Sequence, residues 1–151
     1  MDPKMLKVVK RFPLATGKEP HGLAFDPQHH RLFAACRNQV MIVLDSNDGH
    51  IVTSLPIGET VDMAAFDPQT RSVFASNGDG TLSVFHQVSA DTYQDVGPIK
   101  TGANAKQMDF DANTGQLFLP TGTIITTGTS ADGKPMRAVK DGTFAILVVG
   151  R

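Results

Sequence analysis

Three side chains with acid, base or charge chemistry stand at equivalent positions of a repeated sequence. They are His21, Asp62 and Lys106, and intervals of 41 and 44 residues separate them. Each one begins a short run that ends in Phe-Asp: HGLAFD, DMAAFD and KQMDFD. If the repeats surround one axis, a base, an acid and a cation meet at one rim. Such a rim predicts a site for a polar or anionic ligand, because ligands prefer concave sites with convergent polar groups.

Turns in two of the repeats add further polar side chains to this rim. Arg37 and Asn38 follow the second apolar run of the first copy, and Asn77 and Asp79 follow that of the second copy. The plain alternative is a solvated channel mouth, in which these side chains only satisfy the ends of strands.

A hydrolytic site is a second hypothesis for the same rim. His21 would act as general base, with Asp62 and Asp79 near a divalent metal ion, as in a lactonase-like hydrolase. However, no metal-ligand spacing motif, serine elbow or paired carboxylate set occurs in the sequence. The sequence therefore assigns no catalytic residue, no metal and no cofactor, and a non-enzymatic binding module is the first hypothesis.

The elements that position these residues come from a repeat in three copies. The letters AFDPQ occur at 24–28 and again at 65–69, and a third Phe-Asp pair stands at 110–111. The copies also share a glycine upstream and a phenylalanine downstream at constant offsets: Gly17, Gly58 and Gly102, and Phe33, Phe74 and Phe118. Periods of 41 and 44 residues indicate propeller blades or solenoid repeats.

Each copy has the pattern of short strands separated by turns. Runs such as RLFAAC and VMIVLD are bounded by Gly, Asp, Asn and Pro, and helical spacing is not sustained anywhere. Four antiparallel strands per repeat form a blade of a β-propeller. The predicted fold is all-β, one partial propeller domain over 1–151 with four-stranded antiparallel blades near 15–58, 59–102 and 103–151.

Three blades predict an open ring, because propellers typically have 4–8 blades. Residues 1–14 match the outer, fourth strand of a blade, and the last copy stops at its third strand, TFAILVV. Two chains joined head to tail, each contributing its first strand to the other's last blade, would form six blades. Alternatively, the chain is half of a longer propeller. Exposed blade faces favour association in both cases.

The repeats resemble the bacterial YVTN-repeat propeller family. The resemblance covers nearly the whole chain and is carried by GKEPHGLAFDP, RLFAACRNQVMIVLDSNDGHIVTSLPIG, VDMAAFDPQTRSVFASNGDGTLSVF and GTFAILVVGR. It implies a propeller about twice as long, to whose C-terminal half this chain is similar. It also implies a surface or periplasmic protein in which binding is suggested more often than catalysis. No catalytic residue of the family transfers to a position here.

Composition limits the classes of partner. A net charge of -1 disfavours nucleic acid as a partner, and no apolar run approaches the roughly 20 residues of a membrane span.

The single cysteine, Cys36, excludes an internal disulfide and is predicted to be a buried strand thiol. Residues 1–12 lack an apolar signal core, so the sequence as given carries no secretion address, and a single cysteine leaves the redox compartment open. We expect a periplasmic or secreted protein if the family's usual signal precedes this sequence, and a cytoplasmic one otherwise.

The third copy contains an insertion at 121–142. About twenty residues, TGTIITTGTSADGKPMRAVKD, stand where the second copy has a short turn. Long loops without regular structure are usually functional or disordered. Its Gly, Thr, Ser and Asp content favours a mobile loop, with a lid over the channel or a partner contact as the alternative.

Overall fold

The structure, a computed structural model, describes residues 7–150. This range contains fourteen strands and no helix. All pairs of strands are antiparallel. The predicted all-β class is therefore confirmed. Over the same residues there is no helix long and apolar enough to cross a membrane.

The first sheet is a meander in chain order. Its strands are β1 (Pro20–Asp26), β2 (Arg31–Cys36), β3 (Val40–Asp45) and β4 (Ile51–Pro56). Asp26 ends β1 and accepts a hydrogen bond from the backbone N–H of Gln28 at 3.0 Å, which closes the turn into β2. The other oxygen of Asp26 accepts from Gln87 Nε2 of the second sheet at 2.9 Å. The repeated aspartate thus closes a turn, and here it also joins two sheets.

The second sheet follows the same plan with a broken outer strand. Its strands are β5 (Met63–Asp67), β6 (Ser72–Ser76), β7 (Thr81–Ser89), β8 (Thr92–Asp95) and β9 (Ile99–Lys100). Both β8 and β9 pair with β7. The break falls at Gly97, whose φ of 93° lies in the left-handed region, and at Pro98, which has no N–H to donate. The two short strands together take the place of one outer strand.

The third sheet has three strands, and the insertion before its last strand is a hairpin. The sheet contains β10 (Asp109–Asp111), β11 (Gln116–Thr121) and β14 (Ala145–Val149), in that order. The insertion forms β12 (Ile124–Thr129) and β13 (Pro135–Val139), which pair with each other. The interpretation of 121–142 as a loop without regular structure is therefore wrong. The β-branched run IITT favours a strand, and Gly133 at a φ of 81° permits the turn.

The apolar cores lie between successive sheets. Phe33, Met41 and Val43 of the first sheet pack with Val73 and Phe85 of the second in one buried cluster. Another cluster joins the second and third sheets and includes Leu82, Leu117 and Leu119. The innermost strands β1 and β5 pack against each other. The sheets are therefore stacked face to face, as in propeller blades.

One aromatic pair recurs at both junctions between sheets. The rings of Phe33 and Phe66 stack with centroids 5.5 Å apart, and those of Phe74 and Phe110 lie 6.3 Å apart. Phe33 and Phe74 occupy one repeat position, and Phe66 and Phe110 occupy another. The two phenylalanines of each repeat thus serve packing between sheets.

The segment before β1 covers part of the first sheet. Phe12 and Leu14 pack against a buried cluster of Ala34, Cys36, Ile42 and Leu44 on the face turned away from the second sheet. Cys36 is a buried free thiol, as predicted. Residues 7–14 form no strand within this chain. The predicted outer strand over 1–14 falls partly on residues 1–6, outside the described residues, and it stays a prediction.

Candidate functional site

Asp62 of the second sheet lies between two cations, one from the first sheet and one from the third. Arg37, in the turn after β2, donates from Nη2 to Asp62 Oδ1 at 2.9 Å. Lys106, just before β10, places Nζ 3.0 Å from Asp62 Oδ2. Asp62 itself precedes β5. One charged side chain from each of the three stacked sheets therefore meets at a common point, which we call the rim cluster (Arg37, Asp62 and Lys106).

Two residues that the sequence interpretation missed support the rim cluster. Gln107 donates from Nε2 to Asp62 Oδ2 at 3.1 Å. Ser76 ends β6, and its hydroxyl donates to the backbone oxygen of Lys106 at 2.5 Å. The backbone oxygen of Ser76 also accepts from the N–H of Asp62 at 3.2 Å. A serine at this strand end gives no recognisable sequence signal, because its equivalents in the other copies are Ala35 and Pro120.

The rim cluster carries a net positive charge. The Asp62 side chain is only 11% exposed. Burial alone would raise its pKa, but hydrogen bonds and charge from Arg37 and Lys106 outweigh burial and lower the pKa. One carboxylate thus faces two cations. Within residues 7–150, the buried Arg37 Nε has no hydrogen-bond acceptor, whereas the Arg37 side chain as a whole is 36% exposed.

His21 and Asn38 have other partners, and His21 lines a cavity beside Leu23 on the outer face of the first sheet. The Nδ1 atom of His21 lies 3.1 Å from the backbone oxygen of Glu19, and the described residues show no hydrogen bond between His21 and Asp62. Asn38 accepts from the N–H of Lys18 at 2.8 Å and donates to the oxygen of Thr16 at 2.9 Å. Asn38 thus holds the loop that enters β1, and a ligand role for either residue stays a prediction.

Asn77 and Asp79 build the turn between β6 and β7. Asn77 is fully buried and donates to the hydroxyls of Thr81 and Ser83 at 3.1 and 3.0 Å. Asp79 accepts from the N–H of Glu59 at 2.9 Å and from the N–H of Thr81 at 3.0 Å. These contacts attach the turn to the loop before β5. Ligand contact by either side chain remains a prediction.

The described residues give no donor set for a metal ion. Nowhere in 7–150 do three His, Cys, Asp or Glu side chains stand where they could hold one. His21, Asp62 and Asp79 each have separate partners, namely a backbone carbonyl, a pair of cations and backbone amides. The chemistry that the rim cluster supports is recognition of negative charge.

Loss of the Asp62 charge should destabilise the protein in a pH-dependent way. Because folding lowers the pKa of Asp62, its contribution is complete above the unfolded pKa of about 3.9 and is lost as pH falls through the lower folded value. We expect Asp62→Asn to reduce the free energy of unfolding by roughly 1–3 kcal/mol at neutral pH, with the deficit disappearing in acid. Urea unfolding at several pH values measures this. The exposed carboxylate control, Asp141→Asn, should show little difference at any pH, and a pH-independent Asp62→Asn deficit would contradict the assignment.

Comparisons with known proteins identify the fold. No protein-family model and no curated protein sequence matches the chain. A functionally unknown protein from Desulfotomaculum acetoxidans superposes with a TM-score of 0.62 at 16% identity, over 93% of this chain and 50% of that one. A putative 6-phosphogluconolactonase from Bacteroides fragilis gives 0.59 at 17% identity, over 89% and 43%. The Pan2 WD40 domain of Neurospora crassa gives 0.56 at 16% identity, over 84% and 36%.

These similarities confirm the predicted β-propeller fold and no more, because the identities are low. The chain spans half or less of the length of these structures. Membership of the YVTN-repeat family stays a prediction.

Proposed function

We propose that the chain is a non-enzymatic binding module whose rim cluster holds a small anionic ligand. The observation that carries the proposal is the bridge from Asp62 to both Arg37 and Lys106, which fixes two cations from different sheets beside each other. Fixed donors bind better than mobile ones, because the entropy of ordering them is spent in folding rather than in binding.

The chemistry of Arg37 favours a carboxylate or phosphate group. A guanidinium has five N–H donors in a planar fork that matches these oxyanions. Nη2 serves Asp62, and the buried Nε has no acceptor in the described residues. The Arg37 side chain is 36% exposed, so an oxyanion could reach the outer part of its guanidinium and offset the positive charge of the rim cluster.

Titration with inorganic phosphate and with a phosphorylated sugar, followed by calorimetry, tests the site. We expect Arg37→Gln to weaken binding about tenfold or more, the equivalent of roughly 1.4 kcal/mol. The matched control is Arg71→Gln, because exposed Arg71 lies in the turn between β5 and β6, at the other end of the strands. Equal loss in both variants would indicate unspecific charge attraction, and absence of binding to either probe would contradict the proposal.

A lactonase-like, metal-dependent hydrolase is the second candidate. Two of the matched structures, from Bacteroides fragilis and Bacteroides uniformis, are putative 6-phosphogluconolactonases, and the repeat spacing predicts His21 as a base at the rim. This function requires lactone hydrolysis that a chelator abolishes and that His21→Ala removes. A melting temperature that is unchanged by chelator and by added calcium would argue against it.

We further propose that the protein acts as part of a larger ring. The three stacked sheets of residues 7–150 are fewer than the 4–8 blades of propellers, and the matched structures are about twice as long. The additional blades would come from a second copy of the chain or from the other half of a longer propeller.

A further inference from the structure

Two apolar sheet faces have no neighbouring sheet within the described part of the chain. We call the outer face of the first sheet the leading face; it consists of Leu23, Phe25, Leu32, Ala34, Ile42 and Leu44. We call the outer face of the third sheet the trailing face; it consists of Phe118, Pro120, Ile146 and Val148. Exposure is 64% for Leu23, 47% for Phe25, 59% for Ile146 and 54% for Val148. Exposed apolar surface of this kind marks an interaction site.

The trailing face carries the same pair of residues as the sheet faces that are buried between two sheets. Phe33 pairs with Val43 in the first sheet, and Phe74 pairs with Val84 in the second. In the third sheet Phe118 pairs with Val148 in the same way. Val43 and Val84 are buried against the following sheet, whereas Val148 is exposed because residues 7–150 contain no sheet that follows the third one.

The leading face supplies the matching half of the aromatic pair. Inside the molecule, the partner of each downstream phenylalanine is Phe66 or Phe110, which directly precedes the repeated aspartate. Phe25 occupies this position in the first copy. Phe118 and Phe25 are therefore the two members of the recurring pair that lack a partner among residues 7–150. A trailing face placed against a leading face would restore the stack.

The third sheet also lacks the strand that the N-terminal segment resembles. In residues 7–150, no strand pairs with β14 on the edge away from β11. Leu14 stands twelve residues before Asp26, as Leu55 of β4 stands twelve before Asp67. Leu55 belongs to the core between the first two sheets, and Leu14 packs on the leading face of the first sheet. Residues 7–14 therefore lie where the outer strand of a preceding sheet would lie.

We propose that two copies of this chain associate head to tail through these faces to form a closed ring of six sheets. Phe25 of one copy stacks on Phe118 of the other, and residues 7–14 of each copy pair with β14 of its partner as a fourth strand. A two-fold axis along the channel relates the copies, so both junctions are identical and the ring closes. This inference rests on the proposed larger ring. A second copy of the chain supplies the additional blades, and two rim clusters then lie around one channel.

Light scattering after size exclusion tests the association. We expect a particle of twice the 16.2 kDa chain mass that dissociates on dilution. A particle of single-chain mass at high micromolar concentration would overturn the proposal, whether or not the rim cluster binds phosphate. Phosphate binding without dimer formation would leave the proposed rim site intact, so the two proposals fail separately.

Charge variants on opposite faces test the register. Phe25→Asp and Phe118→Lys should each be monomeric, because a homodimer of either variant places a charge against a phenylalanine at both junctions. Their mixture should recover a dimer, because one junction is then unchanged and the other pairs Asp with Lys. Val88→Asp is the control, since Val88 is 49% exposed at the end of β7, away from both faces. Circular dichroism verifies folding, and failure of folded variants to recover the dimer on mixing would overturn the register.

Discussion

Replacement of Phe33 by alanine should reduce the free energy of unfolding by about 3–5 kcal/mol. Phe33 is completely buried, stacks on Phe66 at 5.5 Å and meets the edge of Tyr93 at 5.7 Å. The variant loses the free energy that is gained when a full aromatic ring leaves water. It also leaves a cavity between the two sheets, and the surrounding residues cannot fill this cavity freely. Natural domains are stable by only about 5–15 kcal/mol, so this single change removes a large part of the total.

Equilibrium unfolding in urea at one protein concentration measures the effect of Phe33→Ala. Phe144→Ala is the matched control, because Phe144 is 74% exposed and its removal should change the free energy of unfolding by no more than about 0.5 kcal/mol. Phe33→Leu should lie between the two, since it keeps most of the apolar volume. Equal unfolding midpoints for Phe33→Ala and Phe144→Ala would contradict a core between the first and second sheets.

Replacement of Gly22 by alanine should be the second most damaging change. A Cβ atom at Gly22 would lie 2.7 Å from the backbone N of Ala64 and 2.7 Å from the backbone carbon of Met63. These atoms belong to β5 and cannot rotate away as a side chain can, so β1 and β5 must separate. We expect the free energy of unfolding to fall by about 1–3 kcal/mol or more. This net fall already allows for a gain of up to about 1 kcal/mol in stability from a less flexible unfolded chain.

The displacement caused by Gly22→Ala should also reach the rim cluster. Met63 directly follows Asp62, so a shift of β5 moves the carboxylate between Arg37 and Lys106. Phosphate affinity should therefore fall together with stability. Gly150→Ala is the control, because its Cβ would meet only the flexible side chain of Gln116 within 3.4 Å, at 3.0 Å. Unchanged stability and affinity in Gly22→Ala would show that the two inner strands are not in close contact.

Much of the fold is predictable because its signals are local. The Asp-Pro and Asp-Ala turns, the glycines and the alternating apolar runs recur at fixed offsets, and each sheet is a meander of neighbouring segments. The hairpin of β12 and β13 was missed because its residues are mostly exposed, so it has no apolar alternation to indicate a strand. Turn-rich composition alone does not distinguish a hairpin from an irregular loop.

The rim was predictable only in part. Repeat equivalence placed Asp62 and Lys106 at the ends of neighbouring inner strands, and these two residues do meet. The same equivalence placed His21 at the rim, but its ring is hydrogen-bonded to the backbone of Glu19. Short polar side chains such as Asn38 satisfy nearby backbone groups before they reach the axis. Spacing gives the position of a residue in the repeat, whereas hydrogen bonding decides where its side chain points.

The amino-acid sequence by itself determined the all-β class, the threefold repeat and the paired phenylalanine positions, because turn chemistry and apolar periodicity act over a few residues. Only the tertiary structure decided that Arg37 and Lys106 share Asp62, and that Gln107 and Ser76 support them. It also decided which phenylalanines lack a partner. Contacts between sheets depend on distances of a few ångströms between segments far apart in the chain, and the order of residues alone does not specify those distances.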